Sequence, residues 1–180
     1  MKKDIIILCN SPQCLEIISG GHIPDLHQKN LFTCNLAYTH FRTSGRHLNI
    51  FVDTPIIDSF INRPQWYENY GCYNYDKVEF IINPWEHAIY GKHNYMQHKA
   101  KIKVSPVLIP ASSAIAALFY LNAAENYDVI HLVGYTLREW SGLHNVKELQ
   151  HKLKAFEDVT NKYEVFKNQL MPTWYTYIKK

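Results

Sequence analysis

Short polar side chains stand at the ends of several predicted strands in this chain of 180 residues. Asn10 follows the apolar run IIILC, Asn35 ends LFTCN, and Asp53 ends HLNIFVD. Ser112 and Ser113 follow a later strand, in VLIPASSA. In an open α/β sheet, ligands bind in the crevice beyond the carboxyl ends of the strands. Polar groups at these ends therefore predict a small-molecule site, and we expect an enzyme.

The segment from Ser112 and Ser113 onward is rich in alanine and leucine, which predicts a helix. Its first turn would present unpaired backbone N–H groups and the positive end of the helix dipole, an environment that suits a phosphate. The alternative is that the serines only cap the helix. Neither G-x-G-x-x-G nor G-x-x-x-x-G-K-[ST] occurs, which argues against NAD enzymes and P-loop nucleotide hydrolases.

A histidine and two further polar residues follow the last long apolar run. His144 stands directly before a predicted helix, where an imidazole with a pKa near 6.5 could act as a general base. The alternative is a solvated loop histidine. Arg138 and Tyr135, in GYTLREW, could neutralise and hydrogen-bond a departing phosphate, although surface positions are the common fate of arginine.

Metal-binding patterns are missing from the sequence. The ten histidines form no H-x-x-x-H, no C-x-x-C pair occurs, and there is no Asp-x-Asp. We therefore predict that no metal is required. Of the four cysteines, Cys9 and Cys34 lie at the ends of predicted buried strands, where a free thiol packs as a small hydrophobe. This usage indicates a reducing compartment.

Strands and helices alternate along the chain, which predicts an α/β fold. We expect one domain over 1–180 with a Rossmann-like, doubly wound and mostly parallel sheet, helices on both faces, and a lid or loop at 65–76. The predicted strands are 4–9, 31–35, 47–53, 77–82, 101–109, 128–133, 163–166 and 173–178. The predicted helices are 13–19, a stretch from 56 to 62, 113–125 and 146–160.

The composition is only mildly basic, with a formal charge of +3 and lysines and arginines scattered along the sequence. This balance permits anionic ligands without favouring nucleic acid. Asp4, Asn10 and Pro12 interrupt the first apolar run before a signal peptide could form, and no run has the length of a membrane span. We expect a cytoplasmic protein, at most peripheral to a membrane.

Several segments together resemble the bacterial sialyltransferases of glycosyltransferase family 42. They are MKKDIIILCNSP, LFTCN, NIFVDTP, ASSAIAALFYLNAAENYDVIHLVGYT and HNVKELQHKLKAFE, in the order of the family and spanning roughly residues 1 to 167. The resemblance implies a glycosyltransferase-A-like variant of the Rossmann-like fold and metal-independent transfer from a cytidine nucleotide (CMP-linked) donor. It is weak through the middle of the chain.

The resemblance also assigns residues. The donor-binding asparagines of the family match Asn10 and Asn35, its Thr-Ser pair matches Ser112 and Ser113, and its general base matches His144.

The sequence departs from the family at three further positions. Asp53 replaces a third donor-binding asparagine, and Pro110 stands where the family has an arginine. These changes argue against sialic acid and leave other nucleotide sugars open. Arg138 matches a tyrosine that stabilises the leaving phosphate, and a cation could keep that role.

The sequence thus predicts a glycosyltransferase that moves a sugar from a nucleotide-sugar donor to a glycan or other hydroxyl acceptor, without a cofactor. One alternative is a nucleotide- or glycan-binding module that lacks transfer. Another is a sugar transferase acting on nucleic acid, motivated by the basic pI and the aromatic loop. The sequence leaves undecided whether the chain forms homo-oligomers.

Overall fold

A single mixed sheet organises the part of the chain that can be described. The computed structural model describes residues 2–52, 77–90, 101–107, 113–135, 159 and 161–180. The strands are β1 (Asp4–Leu8), β2 (Leu31–Cys34), β3 (His47–Ile50), β4 (Val78–Ile82), β5 (Lys101–Val104), β6 (Val129–Val133), β7 (Tyr163–Lys167) and β8 (Trp174–Lys179). Their order across the sheet is β5-β4-β3-β2-β1-β6-β8-β7. The first six strands run parallel, and β8 and β7 complete the sheet in antiparallel fashion.

The described helices connect parallel strands. They are α1 (Pro12–Ser19), α2 (Pro84–Tyr90) and α3 (Ser113–Ala124), and two short 3₁₀ turns span Leu26–Gln28 and Asn35–Thr39. The chain moves outward from β1 through β2, β3 and β4 to β5, and then returns to place β6 on the other side of β1. The direction of winding therefore changes at β1.

Alternate residues of β1 enter two different hydrophobic clusters, because successive side chains of a strand point to opposite faces. Ile5 and Ile7 pack with the buried residues of α3, and Ile6 and Leu8 pack with Cys14 and Ile17 of α1. The continuous apolar run of β1 is explained by burial on both sides, the usual state of a parallel strand.

The predicted α/β class with a mostly parallel sheet is confirmed, and the eight predicted strands are present. Six of them match within one residue at each end, whereas β3 ends at Ile50 instead of residue 53. The helix α2 was not predicted. Strand β5 ends at Val104 instead of residue 109, because the chain turns where the Ser105 hydroxyl donates to the Val107 carbonyl at 2.7 Å. The predicted helix at 56–62, the loop at 65–76, and the helix at 146–160 apart from residue 159 lie outside the described residues.

An ion-pair network joins four elements at the amino edge of the parallel strands. The Arg46 guanidinium donates to both carboxylate oxygens of Glu125, at 2.9 and 3.0 Å, and to Glu79 Oε2 at 2.5 Å. Lys103 Nζ approaches the other Glu79 oxygen at 2.7 Å. Burial acts to raise the pKa of Glu79, but the hydrogen bonds and charges of Arg46 and Lys103 outweigh it and lower the pKa.

In the ranges given above, no helix has both the length and the apolar character needed to cross a membrane.

Candidate functional site

The carboxyl ends of three neighbouring strands bring together residues that are far apart in sequence. Because β1 lies between β2 and β6 and all three run in the same direction, Asn10, Asn35 and Tyr135 follow strand ends at one edge of the sheet. The winding direction changes between β1 and β6, and such a switch point is the usual place for a ligand in an open α/β sheet. This edge is the candidate site.

The turn after β1 is fixed against the turn after β6. Ser11 caps α1 by accepting the N–H of Cys14 at 3.2 Å, and its hydroxyl donates to the Gly134 carbonyl at 2.6 Å. Gly134 has a φ of +78°, and a Cβ there would lie 2.4 Å from the Cys14 Cβ. Only glycine allows this close approach, so the chain passes the start of α1 without a side chain between them. Asn10, next to this contact, is exposed.

Asn35 adopts a left-handed conformation, with a φ of +52°. Its side-chain Oδ1 accepts the backbone N–H of Val52 at 3.0 Å, and its carbonyl accepts the Asn49 amide at 3.1 Å. Asparagine tolerates this conformation better than most residues because its short polar side chain bonds nearby backbone. Among the described residues these bonds use the Oδ1 and the carbonyl of Asn35, so its Nδ2 protons are the part of the side chain that can reach a ligand.

A buried chain of polar side chains leads from β3 to Asn35. The Thr33 hydroxyl contacts His47 Nε2 at 2.9 Å and donates to Asn49 Oδ1 at 2.8 Å, and the Asn49 amide in turn donates to the Asn35 carbonyl. Thr33 and Asn49 are fully buried. We call these four residues the polar relay. Through these bonds Thr33, His47 and Asn49 fix the backbone of Asn35 at the carboxyl edge of β2.

The relay determines the protonation of His47. The single hydroxyl proton of Thr33 is donated to Asn49, so His47 Nε2 must carry a proton and donate to the Thr33 oxygen. Nδ1 is then an unprotonated, buried atom with no hydrogen-bond partner among the described residues. Burial lowers the pKa of His47 to about 4, so the imidazole is neutral at pH 7.

Tyr135 follows β6 as expected, but only 3% of it is exposed. Its ring packs edge-on against Tyr175, with 6.2 Å between the ring centroids, and its backbone N–H donates to the Thr173 carbonyl at 3.0 Å. This placement gives Tyr135 a packing role, and the phosphate-binding role assigned to it stays a prediction.

Ser113 is the first residue of α3. Because α3 connects the parallel strands β5 and β6, it starts from the carboxyl edge of the sheet, and its phosphate-binding role stays a prediction. Four other predicted site residues lie outside the described residues: Asp53, Ser112, Arg138 and His144.

Three cysteines that form no disulfide lie under this edge. Cys9 and Cys34 are buried at the ends of β1 and β2, and Cys14 is fully buried in α1. The prediction that the strand-end cysteines pack as small hydrophobes is confirmed. Burial raises the pKa of the Cys14 thiol to about 12, so this thiol is unreactive in the folded protein.

Sequence reasoning missed the inner part of the site. Thr33, His47 and Asn49 are polar residues inside short apolar strands, and the two-residue spacing of His47 and Asn49 places both on one face of β3. Such a buried polar pair was the available signal, because a buried polar group requires a partner. The partner itself depends on the β2 to β3 register, Thr33 opposite Asn49.

The part of the chain that the structure describes contains no group of three or more His, Cys, Asp or Glu side chains able to hold a metal ion. Comparisons with models of protein families, with curated proteins and with solved structures find no match for this chain.

Proposed function

We propose that this chain is a metal-independent glycosyltransferase that transfers a sugar from a nucleotide-sugar donor to a hydroxyl acceptor. The observation that carries the proposal is the meeting of Asn10 and Asn35 at adjacent strand ends, beside the point where the winding direction changes. The exposed Asn10 amide and the Nδ2 protons of Asn35 are donors suited to a nucleotide.

The fold that we propose is Rossmann-like, with helices over both faces of the sheet. It is supported by the two clusters on alternate residues of β1, one shared with α1 and the other with α3. In such a fold the N-terminus of α3 faces the crevice, where its backbone N–H groups suit the donor phosphate together with Ser112 and Ser113.

His144 has the role of general base toward the acceptor hydroxyl in this proposal. Arg138, with Tyr135, offsets the charge that develops on the leaving phosphate. A cytidine nucleotide is the first donor to test, because the resemblance to the sialyltransferases assigns donor binding to Asn10 and Asn35. The buried thiols suit a reducing, cytoplasmic compartment.

The decisive experiment measures nucleotide release from a panel of nucleotide sugars, CMP-sialic acid included, for the wild type and for His144→Ala. Release from one donor that is lost in the variant would support transfer and identify the sugar. Nucleotide binding without release in either protein would favour a binding module, and absence of both binding and release would overturn the proposal.

A second pair of variants tests the geometry of the site. Asn10→Ala should weaken nucleotide binding about tenfold with unchanged stability, because the side chain is exposed and one hydrogen bond to a charged group is worth about 1.5 kcal/mol. The control is Gln28→Ala, which removes an exposed amide side chain in the 3₁₀ turn before β2. Equal affinity in Asn10→Ala and wild type, measured by calorimetry, would remove Asn10 from the site.

A further inference from the structure

Exposed apolar side chains are concentrated at one end of the sheet. Of six large hydrophobic residues exposed within the described part of the chain, three belong to β7 and the turn after it. Their exposed fractions are 37% for Val165, 51% for Phe166 and 90% for Leu170. An apolar edge strand is a ready template for pairing with another strand, so this edge needs an explanation.

The hydrogen-bond register of β7 shows which backbone groups face outward. Asn168 N–H donates to the Trp174 carbonyl and Lys180 N–H donates to the Lys162 carbonyl, so even-numbered residues of β7 bond to β8. Alternation along an antiparallel pair then directs the backbone N–H and C=O groups of Tyr163, Val165 and Lys167 away from β8. In the described part of the sheet, no strand lies on that side.

We propose that β7 pairs antiparallel with β7 of a second copy, with Val165 opposite Val165 of the partner subunit. A two-fold axis perpendicular to an antiparallel pair passes between two directly opposed residues, so one residue must face its own copy. Val165 is the central residue of the three that face outward. Centring the axis there opposes Tyr163 to Lys167 and closes two backbone hydrogen bonds in each of three residue pairs.

The side chains agree with this register. No like charges are directly opposed, because Glu164 faces Phe166 and Lys167 faces Tyr163. The two Phe166 rings become diagonal neighbours, a separation that aromatic side chains can bridge. The other edge strand of the described sheet, β5, carries two lysines and no acidic residue, whereas β7 carries one glutamate and one lysine. Charges of a single sign on a short edge strand discourage self-pairing, so β7 is the edge that fits a second copy.

The test uses charge at the two-fold axis. Val165→Asp places two carboxylates directly opposite each other, and Val165→Lys places two ammonium groups there, so each variant alone should be monomeric. An equimolar mixture of the two should recover a dimer, because the opposed charges are then complementary. Molar mass by light scattering after size-exclusion chromatography measures this, with twice the 21.1 kDa of one chain expected for the wild type.

The matched controls are Leu15→Asp and Leu15→Lys, at a position on α1 that is 58% exposed, and both should remain dimeric. Circular dichroism verifies that the variants fold. Hydrogen exchange of the wild type gives a readout without mutation: on raising the concentration, the Val165 amide should gain protection while the Phe166 amide, already bonded to β8, does not.

A wild type that is monomeric at all concentrations would overturn the proposal, and so would a dimer that survives both Val165 variants. A dimer lost in both variants but not recovered in their mixture would overturn the register. None of these outcomes depends on glycosyl transfer.

Discussion

His47 is a histidine that the fold keeps neutral. It donates from Nε2 to Thr33, its Nδ1 is enclosed without a partner among the described residues, and burial lowers its pKa to about 4. A second proton would have to sit on Nδ1, a buried atom that has no acceptor among the described residues. The imidazole therefore serves as a fixed donor that orients the polar relay.

This burial predicts a pH dependence of stability. The folded pKa lies below the ordinary value of about 6.5, so the unfolded chain binds the proton more readily between these values. The contribution of His47 is complete above about pH 6.5 and is lost as the pH falls toward 4. Its size is about 3 kcal/mol, taking 1.36 kcal/mol per pKa unit. Urea unfolding of the wild type and of His47→Gln at a series of pH values measures it.

The wild type should lose stability relative to His47→Gln by about this amount on acidification, because glutamine can donate to Thr33 but does not titrate. His22→Gln, at an exposed position, controls for the loss of one histidine. Parallel pH profiles for the wild type and His47→Gln would show that His47 is not held neutral.

Thr33 provides a second prediction at this scale. Thr33→Val keeps the volume but removes the hydroxyl, which leaves His47 Nε2 and Asn49 Oδ1 buried without that partner. Each unsatisfied group costs about 1–3 kcal/mol, so we expect a loss of about 3 kcal/mol in the free energy of unfolding. Thr33→Ser, which keeps the hydroxyl, should cost about 1 kcal/mol. If the valine variant proved as stable as the serine variant, the polar relay would not contribute to the free energy of unfolding.

Substitutions at two glycines compare the cost of backbone strain alone with the cost of strain plus overpacking. Gly21, after α1, has a φ of +70° with no atom within 4 Å of an added Cβ, and Gly134, after β6, has a φ of +78° with Cys14 atoms at 2.4 and 2.7 Å. Gly21→Ala should cost about 1 kcal/mol from backbone strain alone. Gly134→Ala adds overpacking, for a total of about 3 kcal/mol. Similar losses in urea unfolding would mean that α1 moves aside easily.

The ion-pair network couples β3, β4, β5 and the end of α3. Arg46→Met leaves Glu79 and Glu125 without their shared cation, and we expect a loss of about 2 kcal/mol, less than for a fully buried pair because the Arg46 side chain is 29% exposed. Lys103→Met should cost about 0.5 kcal/mol, because Lys103 is 43% exposed. Thermal unfolding at low and high salt compares them, and the reverse ranking would contradict the assignment of Arg46 as the central cation.

For the whole molecule, the position of a strand in the sheet predicts which backbone amides exchange most slowly with solvent. The central strand β1 is flanked by β2 and β6 and covered by both hydrophobic clusters. We expect the amides of Ile6 and Ile7 to exchange only through global unfolding, with a free energy equal to that from urea. Exchange of these amides faster than those of β4 would show that the stable unit lies elsewhere.

The sequence allowed the architecture to be predicted because its signals are local. A run such as DIIIL marks a strand buried on both faces, and SAIAALFYLNAA favours a helix. The sequence contains one signal for the helix α2, which was not predicted. Proline is common at the first position of a helix, and Pro84 occupies that position.

Only the residues of the candidate site that directly follow strands were predicted. Asn10 and Asn35 follow apolar runs, so their positions at strand ends could be inferred from periodicity. The contact between Thr33 and Asn49 could not, because it depends on the register between two strands. The burial of Tyr135 was also beyond reach, since it results from packing against Tyr175 of the distant β8.

The buried thiols allow the opening of the carboxyl edge of the sheet to be measured by chemical labelling. Cys9 and Cys34 lie directly before Asn10 and Asn35, so a thiol reagent reaches them only when the carboxyl edge opens. In a Cys72→Ser background, the labelling rates of Cys9 and Cys34, separated from that of Cys14 by peptide mass spectrometry, measure how often that edge opens. A ligand that closes the crevice would slow the reaction, which makes labelling a screen for binding that assumes neither a reaction nor a particular nucleotide.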